Sequence, residues 1–459
     1  MYTIKYETFV NEAVSDRIYE ISDAFGIGVD SKIEHVICNN LEISDFNVLY
    51  ITGMSGSGKS SLLKKMVEQY SFIEPKIDEF SNKPIVDCIG KNTEDALYYL
   101  NVCGLGEAFL YIKPYKLLSE GQKYRFKIAK IIESNQDFWF IDEFCSFLDR
   151  DTAKIVSYNI QKIARKLGKK LVVATAHNDL LDYLRPDIRV DFKMGGEPCV
   201  YDMKWTKENP FLKDIVVTEG SIEDYNILGK YHYKNTSAKF IKNIYKMEYK
   251  GMVVGVAVYS CPKQSLLGRN IYTNKKYLDK KGVPILKEIN KDFVSGSRFI
   301  IHPMFRGIGL GSMLVRETSK LVEAKYIEIC SVMSKYNKFL DNTNAVFICD
   351  NMTEQTKKKL DKVVQLFSRY NLNYEKIISV DYCKKIINTI PEEELKNVIY
   401  PILRPNYFNN KARFKKYGIN FTTKKEFMET KLIPELLALA KFASVEYYII
   451  DKTKSVENG

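Results

Sequence analysis

GMSGSGKS, residues Gly53–Ser60, is a complete G-x-x-x-x-G-K-[ST] loop. It follows the apolar run Asn47–Gly53 (NVLYITG) and precedes the helix-like stretch SLLKKMVEQY, so the local order is strand, tight turn, helix. Gly53, Gly56 and Gly58 let the backbone around Ser55, Ser57 and Ser61 curl its N–H groups onto phosphate oxygens at a helix N-terminus. Lys59 is placed to reach the β and γ phosphates and the Ser60 hydroxyl to ligate Mg²⁺. The spacing predicts a site for ATP with Mg²⁺.

Working outward, Phe138–Glu143 (FWFIDE) reads as a buried strand ending in two carboxylates. At the carboxyl end of such a strand Asp142 joins the metal shell, and Glu143, one residue on, is placed to polarise the attacking water. Leu118-Ser119-Glu120-Gly121-Gln122 stands between loop and strand; Ser146-Phe147-Leu148-Asp149 and Thr175-Ala176-His177 follow. In this order the five segments resemble the ABC-type ATPases over about residues 20–195. The resemblance implies Walker A, signature, Walker B, D-loop and switch-histidine roles. Ser119, Gly121, Gln122 and Asp149 would then contact ATP, and His177 its γ-phosphate. Glu120 departs from the usual glycine of the signature. Pro84–Asp87 (PIVD) occupies the Q-loop region, with Asp87 as the substitute.

Ser119 comes only 59 positions after Ser60, and no run approaches the ~18 apolar residues of a membrane span. The resemblance is therefore to soluble ABC ATPases of the SMC and DNA-repair type rather than to a transporter half. One copy of each motif per chain implies a head-to-tail homodimer that closes on ATP and opens on hydrolysis.

Arg306-Gly307-Ile308-Gly309-Leu310-Gly311 lies between the apolar strand SRFIIHP and the amphipathic stretch SMLVRETSKLVEA. Glycine turns opening a helix bind pyrophosphate, because unpaired N–H groups and the helix dipole both face the anion. A dinucleotide site fits the glycines too. The preceding strand, the helix, the strand YIEICSV and the Asn-containing helix that follow resemble the GNAT N-acetyltransferases. That resemblance implies that Ile301, Arg306–Gly311 and Asn337 hold acetyl-CoA. Acid–base candidates are His232, Tyr233, His302 and Tyr336; Thr343 and Asn344 stand where the family's late tyrosine is expected. Cys330 reads as a buried structural thiol. Together the two modules resemble the ABC-ATPase–acetyltransferase fusion family of prokaryotes and their viruses.

The expected fold is α/β: a P-loop ABC ATPase domain (1–204), a GNAT domain (211–352) and a basic helical C-terminal extension (353–459). Residues 1–210 carry 27 Lys+Arg against 31 Asp+Glu, and residues 211–459 carry 42 against 26, so the second half holds the positive charge. Such a field attracts polyanions. Lys411–Tyr417 and Lys424-Lys425 interleave cations with aromatics as single-stranded nucleic-acid sites do, although an amphipathic helical cap has the same pattern. Nine scattered cysteines without a CxxC pair read as reduced thiols, and the start lacks the order of a secretory signal; the expected location is the cytoplasm. The reading as a whole is an ATP-dependent acyl-CoA N-acyltransferase acting on a nucleobase in DNA or RNA. Its alternatives are a protein or small-molecule N-acetyltransferase, and an ATP-gated nucleic-acid-binding protein whose GNAT fold only senses CoA.

Overall fold

Short apolar runs bounded by turns build the first sheet, and each has its own reason to be buried. The structure is a computed structural model that describes residues 1–8, 15–29, 33–77, 82–193, 196–206, 208–232, 238–409, 421, 423–442 and 445–454. It divides into two compact units. One comprises Met1–Val258, Arg298–Val322 and Tyr336–Thr343; the other comprises Tyr259–Ser297, Glu323–Lys335 and Asn344–Gly459.

In the first unit, β1 (Tyr2–Thr8), α1 (Asp16–Phe25) and β2 (Ile33–Leu41) precede the P-loop, with β1 and β2 paired antiparallel. Then come β3 (Val48–Gly53), α2 (Lys59–Gln69), α3 (Thr93–Val102), α4 (Ala108–Tyr111), α5 (Glu120–Glu133), β4 (Phe138–Ile141), α6 (Arg150–Lys166), β5 (Lys170–Thr175), α7 (Leu181–Leu184), β6 (Ile188–Phe192) and β7 (Cys199–Asp202). The strand order is β4-β5-β3-β6-β7. The first four are parallel and β7 closes the edge antiparallel. Continuous apolar strands are the mark of a sheet covered on both faces. Val48, Tyr50, Trp139 and Val173 pack on one side with Phe126 and Ile160. Leu49, Ile51, Phe140 and Val172 pack on the other with Leu62 and Met66. The parallel strands deliver the ends of β3, β4 and β5 to one edge, where the ATP motifs gather.

The same unit continues through β8 (Ile215–Glu219), α8 (Ile222–Gly229), β9 (Ile241–Tyr249) and most of β10 (Met252–Ser260), with β8 antiparallel to β9. A knot of rings binds these elements to the ATPase segment. Phe211, 1% exposed, meets Tyr158 of α6 at 5.7 Å, Tyr183 of α7 at 4.9 Å and Tyr249 of β9 at 5.9 Å. The compact units therefore do not follow the sequence boundaries near 204–211 and 352: residues 211–258 and 298–322 belong with the ATPase sequence.

The second unit holds α9 (Leu267–Tyr272), α10 (Leu286–Asp292) and the start of β11 (Phe293–Ile301). The chain then leaves for α11 (Leu310–Leu321) and returns as β12 (Tyr326–Ser331) and β13 (Val346–Asp350). β12 runs parallel to β11 from Phe293/Tyr326 to Ser295/Glu328, which a helical crossover makes possible. Arg269 and Glu328, 1% and 0% exposed, meet here in a bidentate pair with contacts of 2.8–3.0 Å.

The last hundred residues were expected to be helical. They supply α12 (Glu354–Arg369), α13 (Val380–Ile386), α14 (Glu392–Asn409), α15 (Lys424–Glu429) and α16 (Pro434–Ala438) around a core that includes Phe367, Leu395, Phe427 and Leu436. They then end differently from the expectation, in the strand β14 (Glu446–Asp451), which inserts antiparallel between β12 and β13. Tyr447 and Ile449 alternate with Tyr448 and Ile450, and all four are buried. Strand pairing on both edges satisfies their backbone. Cys330 and Cys349 both lie opposite Tyr447, two strand spacings apart and so beyond disulfide reach. All nine cysteines are free thiols.

Candidate functional site

The P-loop geometry follows from its glycines. Gly53 ends β3 with φ 144°, and a Cβ there would lie 2.4 Å from the carbonyl oxygen of Phe192 on the neighbouring strand. Lys59, the first residue of α2, folds back over the loop and donates to the carbonyls of Gly53 (2.8 Å) and Met54 (2.6 Å). Burial pulls its pKa down, and the Asp142 charge opposes that shift. The Ser57 hydroxyl is buried without a hydrogen-bond partner. An orphaned buried hydroxyl in this loop is what an incoming phosphate oxygen would satisfy. Ser60 and Ser61 occupy the first turn of α2, with Ser60 exposed.

At the end of β4, Asp142 accepts the Glu143 N–H at 2.9 Å. Glu143 and Cys145 are left-handed, with φ 47° and 60°, and between them the Phe144 N–H donates to the Ala174 carbonyl at 2.8 Å. Such conformations cost about 1–3 kcal/mol for a residue with a Cβ and concentrate at working sites. Here they turn both carboxylates outward to solvent, beside the Lys59 end of the sheet. At the end of β5, the Tyr50 hydroxyl donates to the His177 carbonyl, and the Thr52 hydroxyl donates to the Asn178 side chain at 2.8 Å. A cavity of about 360 Å³ opens beside the loop, lined by Gly53, Met54, Ala176, Asn178, Asp191, Phe192 and Lys193.

The signature segment does not line that cavity. Ser119 is the N-cap of α5, in a capping box with Gln122: the Gln122 N–H donates to Ser119 Oγ at 3.4 Å and the Ser119 N–H to Gln122 Oε1 at 3.1 Å. Gly121 approaches the D-loop, where a Cβ would lie 3.4 Å from Leu148. Asp149 caps α6 by accepting the Thr152 N–H at 2.9 Å. Burial pushes its carboxyl up, but Thr152 and the Arg125 charge together hold it below the usual carboxylate range. Arg150 pairs with Asp179 (Nε to Oδ2, 2.9 Å), tying the D-loop helix to the segment after His177. Asp87 lies exposed in the short helical turn Ile85–Asp87.

The glycine loop Arg306–Gly311 lies at the carboxyl end of β11 and opens α11, with Gly309 as a left-handed N-cap (φ 91°). Ile301, Ile308 and Leu310 are buried beneath it. Arg306 was expected to touch phosphate, but its side chain turns inward and donates to the carbonyls of Gly106 and, at 3.2 Å, Ile301. Phosphate contact at this loop would therefore come from backbone N–H groups. The segment after β12 runs along α11: Ser312 donates to the Phe339 carbonyl at 2.6 Å and Arg316 to that of Asn342 at 2.9 Å. Tyr336, 42% exposed, and Asn337 stand in this segment.

His302 accepts the Met304 N–H on Nδ1 at 3.3 Å, so its neutral ring carries the proton on Nε2. Burial, with the Arg306 and Lys230 charges, holds its pKa below the ordinary 6.5. His302 is thus a hydrogen-bond donor at Nε2 rather than a base. His232 lies in the turn after α8, partly buried. Tyr233 and Lys411–Tyr417 fall outside the described residues, whereas Lys424 and Lys425 open α15 and are exposed.

Sequence reasoning missed three polar side chains at these sites: Asn178, Asn159 on α6, and Asn209. Asn159 had a signal, since it shares the buried helical face of Ile155, Val156, Ile160 and Ile163 and a polar residue there needs a partner.

No family model matches the chain. An uncharacterized ABC transporter ATP-binding protein of Haemophilus influenzae is 27% identical over 186 residues, which are 34% of this chain and 30% of that protein. A probable ATP-dependent transporter of Cyanidium caldarium is 28% identical over 195 residues, 32% of this chain and 76% of that one. The energy-coupling factor transporter ATP-binding protein EcfA of onion yellows phytoplasma is 28% identical over 175 residues, 30% and 63%. The chain thus spans under a third of the first of these relatives and under two thirds of the third. A solved dimeric ATP-binding cassette holding ADP and phosphate aligns with 38% of this chain and 94% of its own, at 19% identity and a TM-score of 0.30. The chain is similar to ABC ATP-binding proteins over about a third of its length, and the class defined there is a P-loop ATPase domain of ABC type. No helix among the described residues is long and apolar enough to cross a membrane.

Proposed function

We propose that the protein is an ATP-dependent acyl-CoA N-acyltransferase acting on a nucleobase in DNA or RNA, with ATP-driven dimerisation of the ABC domain controlling access of the substrate. The observation that carries the acyl-CoA part is the glycine loop: it leaves the carboxyl end of β11, caps the 12-residue α11 through left-handed Gly309 and leads into a parallel strand. The N–H groups of the first turn of α11 point, with the helix dipole, to where a pyrophosphate would sit. In the transfer, the amine lone pair attacks the thioester carbonyl carbon. The C–N bond forms, the C–S bond breaks, the amine loses a proton and the departing CoA thiolate gains one. His302, with its proton on Nε2, suits hydrogen bonding to the thioester carbonyl oxygen as charge develops there; Tyr336 is the remaining described tyrosine for the proton exchange.

In the ATPase, Lys59, Ser57 and the loop N–H groups take the phosphates, Ser60 and Asp142 the Mg²⁺, and Glu143 the attacking water. Ser119, Gly121, Gln122 and Asp149 act on the ATP of a second copy, and their absence from the cavity beside Lys59 favours that division. His177 contacts the γ-phosphate. The nucleic-acid reading rests on charge. The second compact unit holds 30 Lys+Arg against 19 Asp+Glu, a net of +11, whereas the first holds 39 against 38. Between β10 and β11, Lys275, Lys276, Lys280, Lys281, Lys287 and Lys291 are all exposed.

Incubation with labelled acetyl-CoA and either nucleic acid or a protein pool, followed by mass spectrometry of nucleosides and peptides, tests the reading. Label in nucleosides supports it, label only in peptides moves the acceptor to protein, and retention of CoA without transfer leaves a sensor. The sensor reading has one observation in its favour, the engaged Nδ1 of His302.

A further inference from the structure

The glycine loop is held at three points, two of them in the ATPase segment. First, Asn159 of α6, 2% exposed, donates from Nδ2 to the Arg306 carbonyl at 3.2 Å. Gly307 (φ 88°) rests directly on that amide, where a Cβ would lie 2.6 Å from Nδ2. Second, the Arg306 guanidinium bonds the Gly106 carbonyl. Two residues upstream, the Gly104 carbonyl takes Arg125 Nη1 at 2.7 Å, and Arg125 Nε bonds the carbonyl of Gly121 in the signature segment at 3.3 Å. Third, Asn209 Nδ2 donates to the Ile308 carbonyl at 3.0 Å.

Both ends of these connections lead to nucleotide elements. α6 is capped by Asp149 of the D-loop, and Asn159 lies ten residues further on, about 15 Å along a rigid helix at 1.5 Å per residue. The first residue of α6, Arg150, pairs with Asp179 beyond His177. A shift of the D-loop on closure of the nucleotide sandwich would carry α6 with it, since close-packed elements move as bodies rather than deform. We infer that Asn159 is a positioning residue through which the nucleotide state of the ATPase sets the geometry of the Arg306–Gly311 loop, and so its affinity for acyl-CoA. The inference rests on the acyl-CoA reading of that loop. Linkage requires that acyl-CoA change ATP affinity by the same factor.

The test is calorimetric titration of acetyl-CoA into full-length Glu143→Gln protein, without nucleotide and with Mg-ATP. The expected result is at least about a fivefold difference in acetyl-CoA affinity between the two states, within the usual range of coupling. Adding Asn159→Ala should shrink it below about twofold while acetyl-CoA still binds, and acetyl-CoA should then leave ATP affinity unchanged. If circular dichroism shows that Asn159→Ala does not fold, Asn159→Asp, of equal size but without the N–H donor, must show the same loss. Equal affinity in both nucleotide states, or a full difference persisting in either variant, overturns the coupling. No acetyl-CoA binding in any state overturns the acyl-CoA reading itself, and the coupling falls with it.

Discussion

Gly53 is the position where the P-loop and the sheet constrain each other most tightly, and Gly53→Ala should separate local strain from packing. Gly53 pairs with Phe192 of β6 at the end of β3. An alanine Cβ would lie 2.4 Å from the Phe192 carbonyl oxygen and 2.9 Å from its Cβ, atoms that no side-chain rotation can move. Overpacking of this kind costs about 1–3 kcal/mol, and holding a residue with a Cβ at φ 144° adds about 1–3 kcal/mol. Together, about 2–6 kcal/mol is a large part of the ~5–15 kcal/mol that holds a typical domain folded. Gly56 is the control: its φ is 76°, but a Cβ there meets nothing within 4 Å, so Gly56→Ala carries only the left-handed strain of about 1–2 kcal/mol. Urea unfolding followed by tryptophan fluorescence, with Trp139 buried in the same sheet, gives the stabilities, and titration with a fluorescent ATP analogue and Mg²⁺ gives the affinity. Gly53→Ala should lower the midpoint several times more than Gly56→Ala. It should also weaken ATP binding at least about tenfold, because the Gly53 carbonyl anchors Lys59. Equal shifts from the two substitutions would refute the packing argument.

Other outcomes follow from the same geometry. Glu143→Gln should accumulate an ATP-bound dimer on size exclusion, and a monomer under saturating Mg-ATP would remove Glu143 from the hydrolytic role. Gly309→Glu places a carboxylate at the mouth of α11, and undiminished acetyl-CoA binding by that protein would remove the loop from the CoA site. Glu328→Ala leaves the Arg269 guanidinium buried with the carbonyls of Lys263 and Gln264 as its acceptors, at a cost of about 3–5 kcal/mol; Arg269→Met with Glu328→Leu should recover most of it, and a double variant no more stable than Glu328→Ala in urea contradicts this. Because the pKa of His302 is lowered in the fold, the unfolded ring binds a proton first as pH falls below 6.5. The stability it contributes is complete above that pH and declines toward the folded pKa. Imidazole nitrogen shifts should show neutral Nε2–H at pH 6.5, and a half-protonated ring there would disprove it.

What the amino-acid order by itself determined is the contiguous chemistry. GMSGSGKS, LSEGQ and FWFIDE are legible because a phosphate cradle, a helix cap and a strand-end carboxylate pair are each built from neighbouring residues, and their order along the chain carries the ATPase class. The Arg306–Gly311 turn was legible as a helix opening for the same reason. Tertiary structure alone decided what joins those pieces. Arg306 looks like a phosphate ligand in one dimension, yet it reaches the Gly106 carbonyl 200 residues away, and Asn159 meets the same loop across 147 residues. Nothing in local spacing encodes either contact. The strand Glu446–Asp451 lies in a stretch that reads as helical, and its place between β12 and β13 is not local information, because pairing partners follow from which edges remain open once the rest has folded. Likewise, the ring knot at Phe211 carries one compact unit across a stretch whose Gly, Pro and polar residues read as a boundary, since burial of distant side chains outweighs local composition.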